Sequence, residues 1–123
     1  MIIRRSLSSL GIFALLCLAE PRAFAHAIIV EASPAARSTV PAGDIPIEIK
    51  FNSRVDRARS RLALIDARGA VVKLDLAESS AERMSALATA VVPGNYRIEW
   101  YVLSIDGHIT RGNIKFSVST KGS

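Results

Sequence analysis

The sequence predicts an all-β fold, a two-sheet β-sandwich, and three observations carry that prediction. After the first 25 residues, apolar and polar side chains alternate in short runs, which is typical of half-buried strands. Prolines and glycines separate these runs about every ten residues. No long stretch has helical periodicity. Seven or so short strands in about 100 residues fit a sandwich, with a small barrel as the alternative.

The strands are predicted in order from these runs. Residues Pro34 to Asp44 contain two prolines and a glycine and are predicted to be a connection. Asp66 to Gly69 is predicted to be a turn, with glycine where φ is positive. Ala77 to Arg83 has helical propensity but is too short for a stable helix, so a loop is equally open. The predicted strands are residues 27–31, 45–51, 61–65, 70–76, 84–92, 96–102 and 114–118.

The aromatic residues divide between two faces of one predicted strand. Tyr96, Ile98 and Trp100 share a face, which predicts core packing. Tyr101 points the other way and is the better candidate for a surface or near-site role. Because Tyr96 closely follows a Pro-Gly turn, it also resembles the tyrosine corner of sandwich folds, which is a stability feature.

The first 25 residues have the pattern of a secretory signal peptide. Arg4 and Arg5 precede the apolar run Leu10 to Ala19, and Ala23-Phe24-Ala25 is a small-residue cleavage signal. Ten apolar residues are too few to span a bilayer, which takes about 20, although an uncleaved anchor is the alternative. We therefore expect residues 1–25 to be removed. The mature domain would be residues 26–123, which begin at His26.

Processing changes the chemistry that is available. Cys17, the only cysteine, would leave with the signal peptide, and Leu16 before it is not the small residue that lipid anchoring needs. The mature chain would then lack disulfides and thiolate ligands. Its net charge falls from +5 to +3, with 13 basic and 10 acidic residues. The one basic cluster lacks interleaved aromatics, so we expect a solvated loop or strand edge and no nucleic-acid partner; its members are Arg54, Arg57, Arg59 and Arg61.

Both histidines of the chain fall where a metal site could use them. In an extended segment the side chains of Asp106 and His108 would point to the same side and could bind the same ion. Such triplets also occur by chance. His26, as a mature N-terminus, would offer its α-amine and its imidazole to one metal ion. The amine has an ordinary pKa of about 7.7–8.0, so its proton is displaced readily near neutral pH. The plain alternative is a hydrogen-bonded loop histidine and a terminus set by chance.

Three nitrogens and one carboxylate oxygen favour Cu(II), which prefers tetragonal sites of nitrogen and oxygen ligands. Zn(II) remains open, because it also binds imidazole and carboxylate. We expect one ion per mature chain. Met84 would be the only methionine left after processing, so a thioether cluster for Cu(I) is not expected.

The run from Pro93 to His108, followed by Gly112 and Phe116-Ser117-Val118, resembles the closing signature of the CopC family of periplasmic copper-resistance proteins. Upstream, His26-Ala27 and Ser33-Pro34-Ala35 extend the resemblance over essentially the whole mature chain. It implies an immunoglobulin-like Greek-key β-sandwich in the periplasm. It also implies a Cu(II) site of His26, Asp106 and His108, and a CopD-type inner-membrane partner.

One position departs from the family pattern. Ser53 stands where the family commonly has an acidic residue, and Asn52 beside it could only hydrogen-bond as a neutral group. We expect this to alter copper affinity or its pH dependence rather than the ligand set.

Three functions follow from these observations. The first is a non-enzymatic copper-binding protein, monomeric and without a membrane span, that sequesters copper or passes it to its partner. The second is a copper mono-oxygenase with an N-terminal histidine, which needs open coordination positions and an aromatic substrate face. The third is a metal-free immunoglobulin-like interaction module. The resemblance favours the first, since fold alone does not give function.

Overall fold

The computed structural model describes residues 27–120, which form eight β-strands and one short 3₁₀ turn at Arg57–Arg59. Within these residues no helix is long and apolar enough to cross a membrane. The strands are β1 Ile29–Ser33, β2 Thr39–Pro41, β3 Gly43–Phe51, β4 Arg61–Asp66, β5 Val71–Leu74, β6 Arg83–Val91, β7 Gly94–Leu103 and β8 Ile109–Ser119.

The strands form two sheets, which confirms the predicted sandwich. One sheet has the order β1-β3-β6 and the other β2-β8-β7-β4-β5. All neighbours are antiparallel except β2 and β8, which are parallel. Within the described residues, direct hairpins join β4 to β5 and β7 to β8, and every other connection passes from one sheet to the other. The β7–β8 hairpin is the longest pairing and carries Asp106 and His108 at its turn.

The core lies between the inward faces of the two sheets. In β3, Ile45, Ile47, Ile49 and Phe51 are all buried, while the side chains between them are more exposed. This is the period-two pattern read from the sequence, now with the apolar face on the core. Other buried members include Leu62, Leu64, Met84, Ile98, Val102, Ile114 and Phe116.

The aromatic side chains Tyr96 and Trp100 of β7 pack against the core, as the sequence pattern predicts. Trp100 packs edge-on against Phe51 across the core, with ring centroids 5.7 Å apart. Tyr96 stacks on Phe116, and its hydroxyl donates a hydrogen bond of 2.6 Å to the Val92 carbonyl. A tyrosine that bonds back to the backbone just upstream is the tyrosine corner of sandwich folds. That prediction is confirmed.

The structure differs from the sequence prediction in a few elements. The predicted connection at residues 34–44 contains β2, a three-residue strand that pairs with the end of β8, and β3 already begins at Gly43. Residues 77–82, just before β6, form an irregular connection without a helix. The predicted turn at Asp66–Gly69 is present, with φ of 90° at Gly69. The predicted signal peptide and its predicted cleavage site lie outside the described residues.

Candidate metal centre

Asp106 and His108 lie in the short connection between β7 and β8, at one end of the sandwich. The Ser104 N–H donates to the His108 carbonyl over 2.8 Å, and the Gly107 N–H donates to the Ser104 carbonyl over 2.9 Å. Gly107 has φ of 93°, a conformation that glycine adopts without steric cost. These bonds close a tight turn that fixes both candidate ligands relative to the sheet.

A second segment supports this turn from the side. The Ile105 N–H donates to the Arg54 carbonyl over 3.0 Å, and Ser104 forms an isolated bridge with Val55. Ser104 is buried. The segment after β3 therefore packs against the β7–β8 turn, which limits how far the turn can move.

The Asp106 carboxylate and the His108 side chain contact each other directly. Asp106 Oδ1 accepts a hydrogen bond of 3.1 Å from the His108 backbone N–H and lies 3.3 Å from His108 Nδ1. The His108 N–H bond, with a smaller contribution from the imidazole, holds the pKa of Asp106 below its ordinary value of 3.8. The carboxylate is therefore ionised at neutral pH and can bind a cation.

Asp106 and His108 are close together because of a backbone conformation that differs from the predicted one. The residues were expected to share a side because the segment is extended, but the structure has a turn with a positive φ at Gly107. The turn brings the two side chains together.

Two chemistries are open to this pair. Both groups can bind one metal ion, or Asp106 can accept a hydrogen bond from one imidazole nitrogen while the other nitrogen binds the metal. The second arrangement is common in proteins, where a carboxylate fixes the tautomer and orientation of a metal-binding histidine. Either arrangement would supply a cation with donor groups that already contact each other.

The start of the described chain is held at the same end of the sandwich. The Thr110 hydroxyl donates to the Ala27 carbonyl over 3.3 Å, and Ala27 is almost completely buried. The Ile28 N–H donates to Asn52 Oδ1 over 2.8 Å, and the Asn52 N–H donates to the Ile28 carbonyl over 2.9 Å. Thr110 is only two residues from His108, so the two anchors place the beginning of the described chain next to the candidate turn.

His26, the third predicted ligand, lies outside the described residues. Within residues 27–120, no three histidine, cysteine, aspartate or glutamate side chains group together as a metal site. The described part of the chain thus brings together Asp106 and His108.

Other predicted features of the site have clear positions. The Ser53 hydroxyl is buried without a hydrogen-bond partner in the described structure. Because a hydroxyl is neutral, it supplies no charge in place of the acidic residue that the resemblance led us to expect. Asn52 does hydrogen-bond as a neutral group, to the backbone of Ile28. Met84 is fully buried in β6, where its thioether packs in the core and cannot reach a surface ion.

The roles of Thr110 and of the Asn52 side chain toward the start of the chain were not foreseen. Their partners are 83 and 24 residues away in sequence. No local pattern signals such pairs, although both residues lie close to residues already singled out, His108 and Ser53.

Comparisons with known proteins agree on one family. Residues 29–119 match the model of the CopC domain. The chain is 30% identical over 105 residues to Protein YobA of Escherichia coli strain K12, covering 82% of this chain and 85% of that protein. It is 30% identical over 123 residues to Copper resistance protein C of Xanthomonas campestris pv. juglandis, covering 93% and 96%. The crystal structure of CopC from Methylosinus trichosporium OB3b matches with a TM-score of 0.73 at 28% identity, covering 80% and 98%.

Proposed function

Because the chain belongs to the CopC family, we propose that it is an exported copper-binding protein that holds one Cu(II) ion between His26, Asp106 and His108. Proteins of this family are copper-binding and copper-resistance proteins rather than enzymes. Copper is therefore cargo in this proposal.

The anchoring of the chain start is the observation that carries the proposal. Ala27 is bonded to His26, and neighbouring Cα atoms are about 3.8 Å apart. The hydrogen bonds of Thr110 to Ala27 and of Asn52 to Ile28 hold that start beside the turn with Asp106 and His108. A histidine that begins the mature chain would therefore enter at the end of the sandwich where the other two donors already lie.

The donor chemistry favours Cu(II). A terminal histidine can close a chelate ring with its amine and imidazole, and His108 adds a third nitrogen. The ionised Asp106 carboxylate adds an oxygen, as tetragonal Cu(II) sites accept. Cu(I) prefers sulfur ligands, and the Met84 thioether is fully buried in the core.

The wider role extends from the site. We infer that residues 1–25 direct export of the chain to the periplasm and are then removed. The mature chain would be a monomer that sequesters copper or passes it to a CopD-type inner-membrane partner. In this scheme the free α-amine of His26 exists only after residues 1–25 have been removed. The cytoplasmic precursor would then lack the amine ligand.

The decisive experiment blocks the α-amine of His26 by acetylating the N-terminus of the processed chain. The acetyl group removes the chelate of amine and imidazole while leaving the side chains of residues 26–123 unchanged. We expect the processed chain to bind one Cu(II) with a tetragonal electron paramagnetic resonance spectrum, and the acetylated chain to bind at least tenfold more weakly in competition with a chelator. A chain with one glycine added after Ser123 is the control. Equal affinity of all three chains would exclude the amine as a ligand.

A further inference from the structure

The outward face of the five-stranded sheet is more positively charged than the outward face of the three-stranded sheet. Its outward side chains include five cations and one carboxylate, whereas those of the three-stranded sheet include two cations and three carboxylates. We call the first set the cationic face: Arg61, Lys73, Arg97, Arg111 and Lys115, with Glu99. The second set is Lys50 and Arg83 with Glu31, Asp44 and Glu48.

Strand register places these cations beside one another. Tyr101 in β7 is opposite Arg61 in β4 on one side and Arg111 in β8 on the other. The Arg61 and Arg111 guanidinium carbons lie 4.0 and 5.0 Å from the centre of the Tyr101 ring. Arg97 is directly opposite Lys115. Because neighbouring strands are about 4.8 Å apart, like charges here are close enough to repel.

Ion pairs within residues 27–120 do not offset this repulsion. Among residues 27–120, none of the five cations of the cationic face takes part in an ion pair, whereas Arg57, Arg59, Arg68 and Arg83 all do. Four of the five are exposed and Arg97 is half-buried. Their charges are therefore available to an external anion.

Apolar and aromatic groups share the same face. Val71 in β5 is 63% exposed and Ile109 in β8 is 48% exposed, and both lie on the outward side with Tyr101. Cations around an aromatic ring and aliphatic side chains are typical of surfaces that rest at the headgroup level of a bilayer. The cations extend from four strands across the sheet instead of converging on one point, which suits many phosphates rather than one small anion.

We propose that the cationic face docks on an anionic phospholipid surface. Several cations distributed over one side of a small domain bind such a surface by summed, salt-sensitive attraction. This docking uses residues outside the candidate copper site and does not depend on copper. It would hold the protein against a membrane with the β7–β8 turn at the edge of the contact.

The test is co-sedimentation of the processed chain with vesicles. We expect binding to vesicles of equal phosphatidylglycerol and phosphatidylcholine at low salt, and little binding to phosphatidylcholine alone or in 1 M salt, where the screening length falls to about 3 Å. Each cation near an anionic surface contributes about a fivefold gain in partitioning. The triple variant Lys73→Gln, Arg111→Gln, Lys115→Gln should therefore partition on the order of 100-fold more weakly.

A second triple variant, Lys50→Gln, Arg59→Gln, Arg68→Gln, is the matched control, because it loses the same charge away from the cationic face. It should retain most of the binding, and circular dichroism and thermal melting should show both variants folded. Equal losses in the two variants would reduce the effect to net charge and overturn the proposal. Absence of binding to anionic vesicles would also overturn it. In that case, binding of poly-glutamate by the wild type and not by the first variant would assign the face to an acidic protein.

Discussion

At the residue scale, Asn52 is a positioning residue for the start of the described chain at Ala27 and Ile28. Its side-chain oxygen accepts from the Ile28 N–H while its own N–H donates to the Ile28 carbonyl, so one residue holds both backbone groups of Ile28. Asn52→Ala removes the first bond and keeps the second. Residues that orient metal ligands typically change affinity by 10–100-fold when lost. We expect Cu(II) affinity to fall about tenfold, measured by chelator competition.

Two further variants separate positioning from general destabilisation. Asn52→Asp keeps an oxygen acceptor for the Ile28 N–H and should restore most of the affinity. Asn113→Ala, at an exposed position of β8, removes the same side chain away from the site and should leave copper affinity unchanged. If Asn52→Ala binds copper as tightly as the wild type, the side-chain bond does not position the ligand.

Gly112 is required for a different reason, close packing against an aromatic ring. A Cβ at this position would lie 2.8 Å from a Trp100 ring carbon, closer than real Cβ contacts allow. The ring cannot move freely, because its other contact is with Phe51 in the core. Gly112→Ala should lower the free energy of unfolding by about 1–3 kcal/mol, as overpacked cores do. Urea unfolding followed by tryptophan fluorescence measures it, and an unchanged midpoint would contradict the packing argument.

The sequence predicts some residues of the site and not others, and the difference is physical. Asp106 and His108 stand in one short motif, so a local pattern suffices to single them out. Thr110 acts on Ala27, 83 residues away, and this contact exists only once the sheets have formed. The turn at Gly107 also differs from the extended segment first expected, since alternation alone does not report a positive φ.

At the element scale, the β4–β5 turn is held by one carboxylate. Asp66 Oδ1 accepts from the backbone N–H groups of Ala70 and Arg68, each over 2.9 Å, and Oδ2 contacts the Arg68 guanidinium. The Ala70 bond and then those of Arg68 lower the pKa of Asp66 below its ordinary 3.8. Its stabilisation is therefore fully present above the unfolded-state pKa and is lost as pH falls through the lower folded value.

Variants of Asp66 test this turn. Asp66→Ala should melt at a lower temperature than the wild type at pH 7, and the difference should shrink as pH falls below 3.8. Asp66→Asn keeps the neutral acceptor and should show an intermediate loss. Asp75→Ala, an exposed carboxylate just after β5, is the control and should have little effect. A loss for Asp66→Ala that is the same at pH 7 and below pH 3 would contradict a role for the ionised carboxylate.

Most strands could be predicted because each has a buried and an exposed face of its own. β2 could not, since Thr39–Pro41 has only three residues and is defined by its parallel pairing with the end of β8. Strand ends also extend beyond the apolar pattern: β8 begins at Ile109, while the pattern resumes at Ile114. Backbone pairing with β7 continues through residues whose side chains carry no core signal.

At the scale of the whole molecule, the first two described residues, Ala27 and Ile28, contact both sheets at one end of the sandwich. Ala27 bonds to Thr110 in the five-stranded sheet, and Ile28 bonds to Asn52, just after β3 of the three-stranded sheet. A metal ion held by His26 and the β7–β8 turn would add a third tie at this end. Binding of copper should then stabilise the entire fold, because the unfolded chain separates the ligands by about eighty residues.

The expected stabilisation of the folded state by copper follows from mass action. A ligand that binds only the folded state at 100 times its dissociation constant stabilises by about 2.7 kcal/mol. For a domain of about 100 residues, 1 kcal/mol raises the melting temperature by roughly 4–8 °C, so Cu(II) should raise it by at least about 10 °C. The comparison is a chain that begins at Ala27, which keeps the bonds of Thr110 and Asn52 but lacks His26. It should melt like the metal-free protein and gain little from Cu(II). If both chains gain equally, the copper is bound elsewhere and His26 is not a ligand.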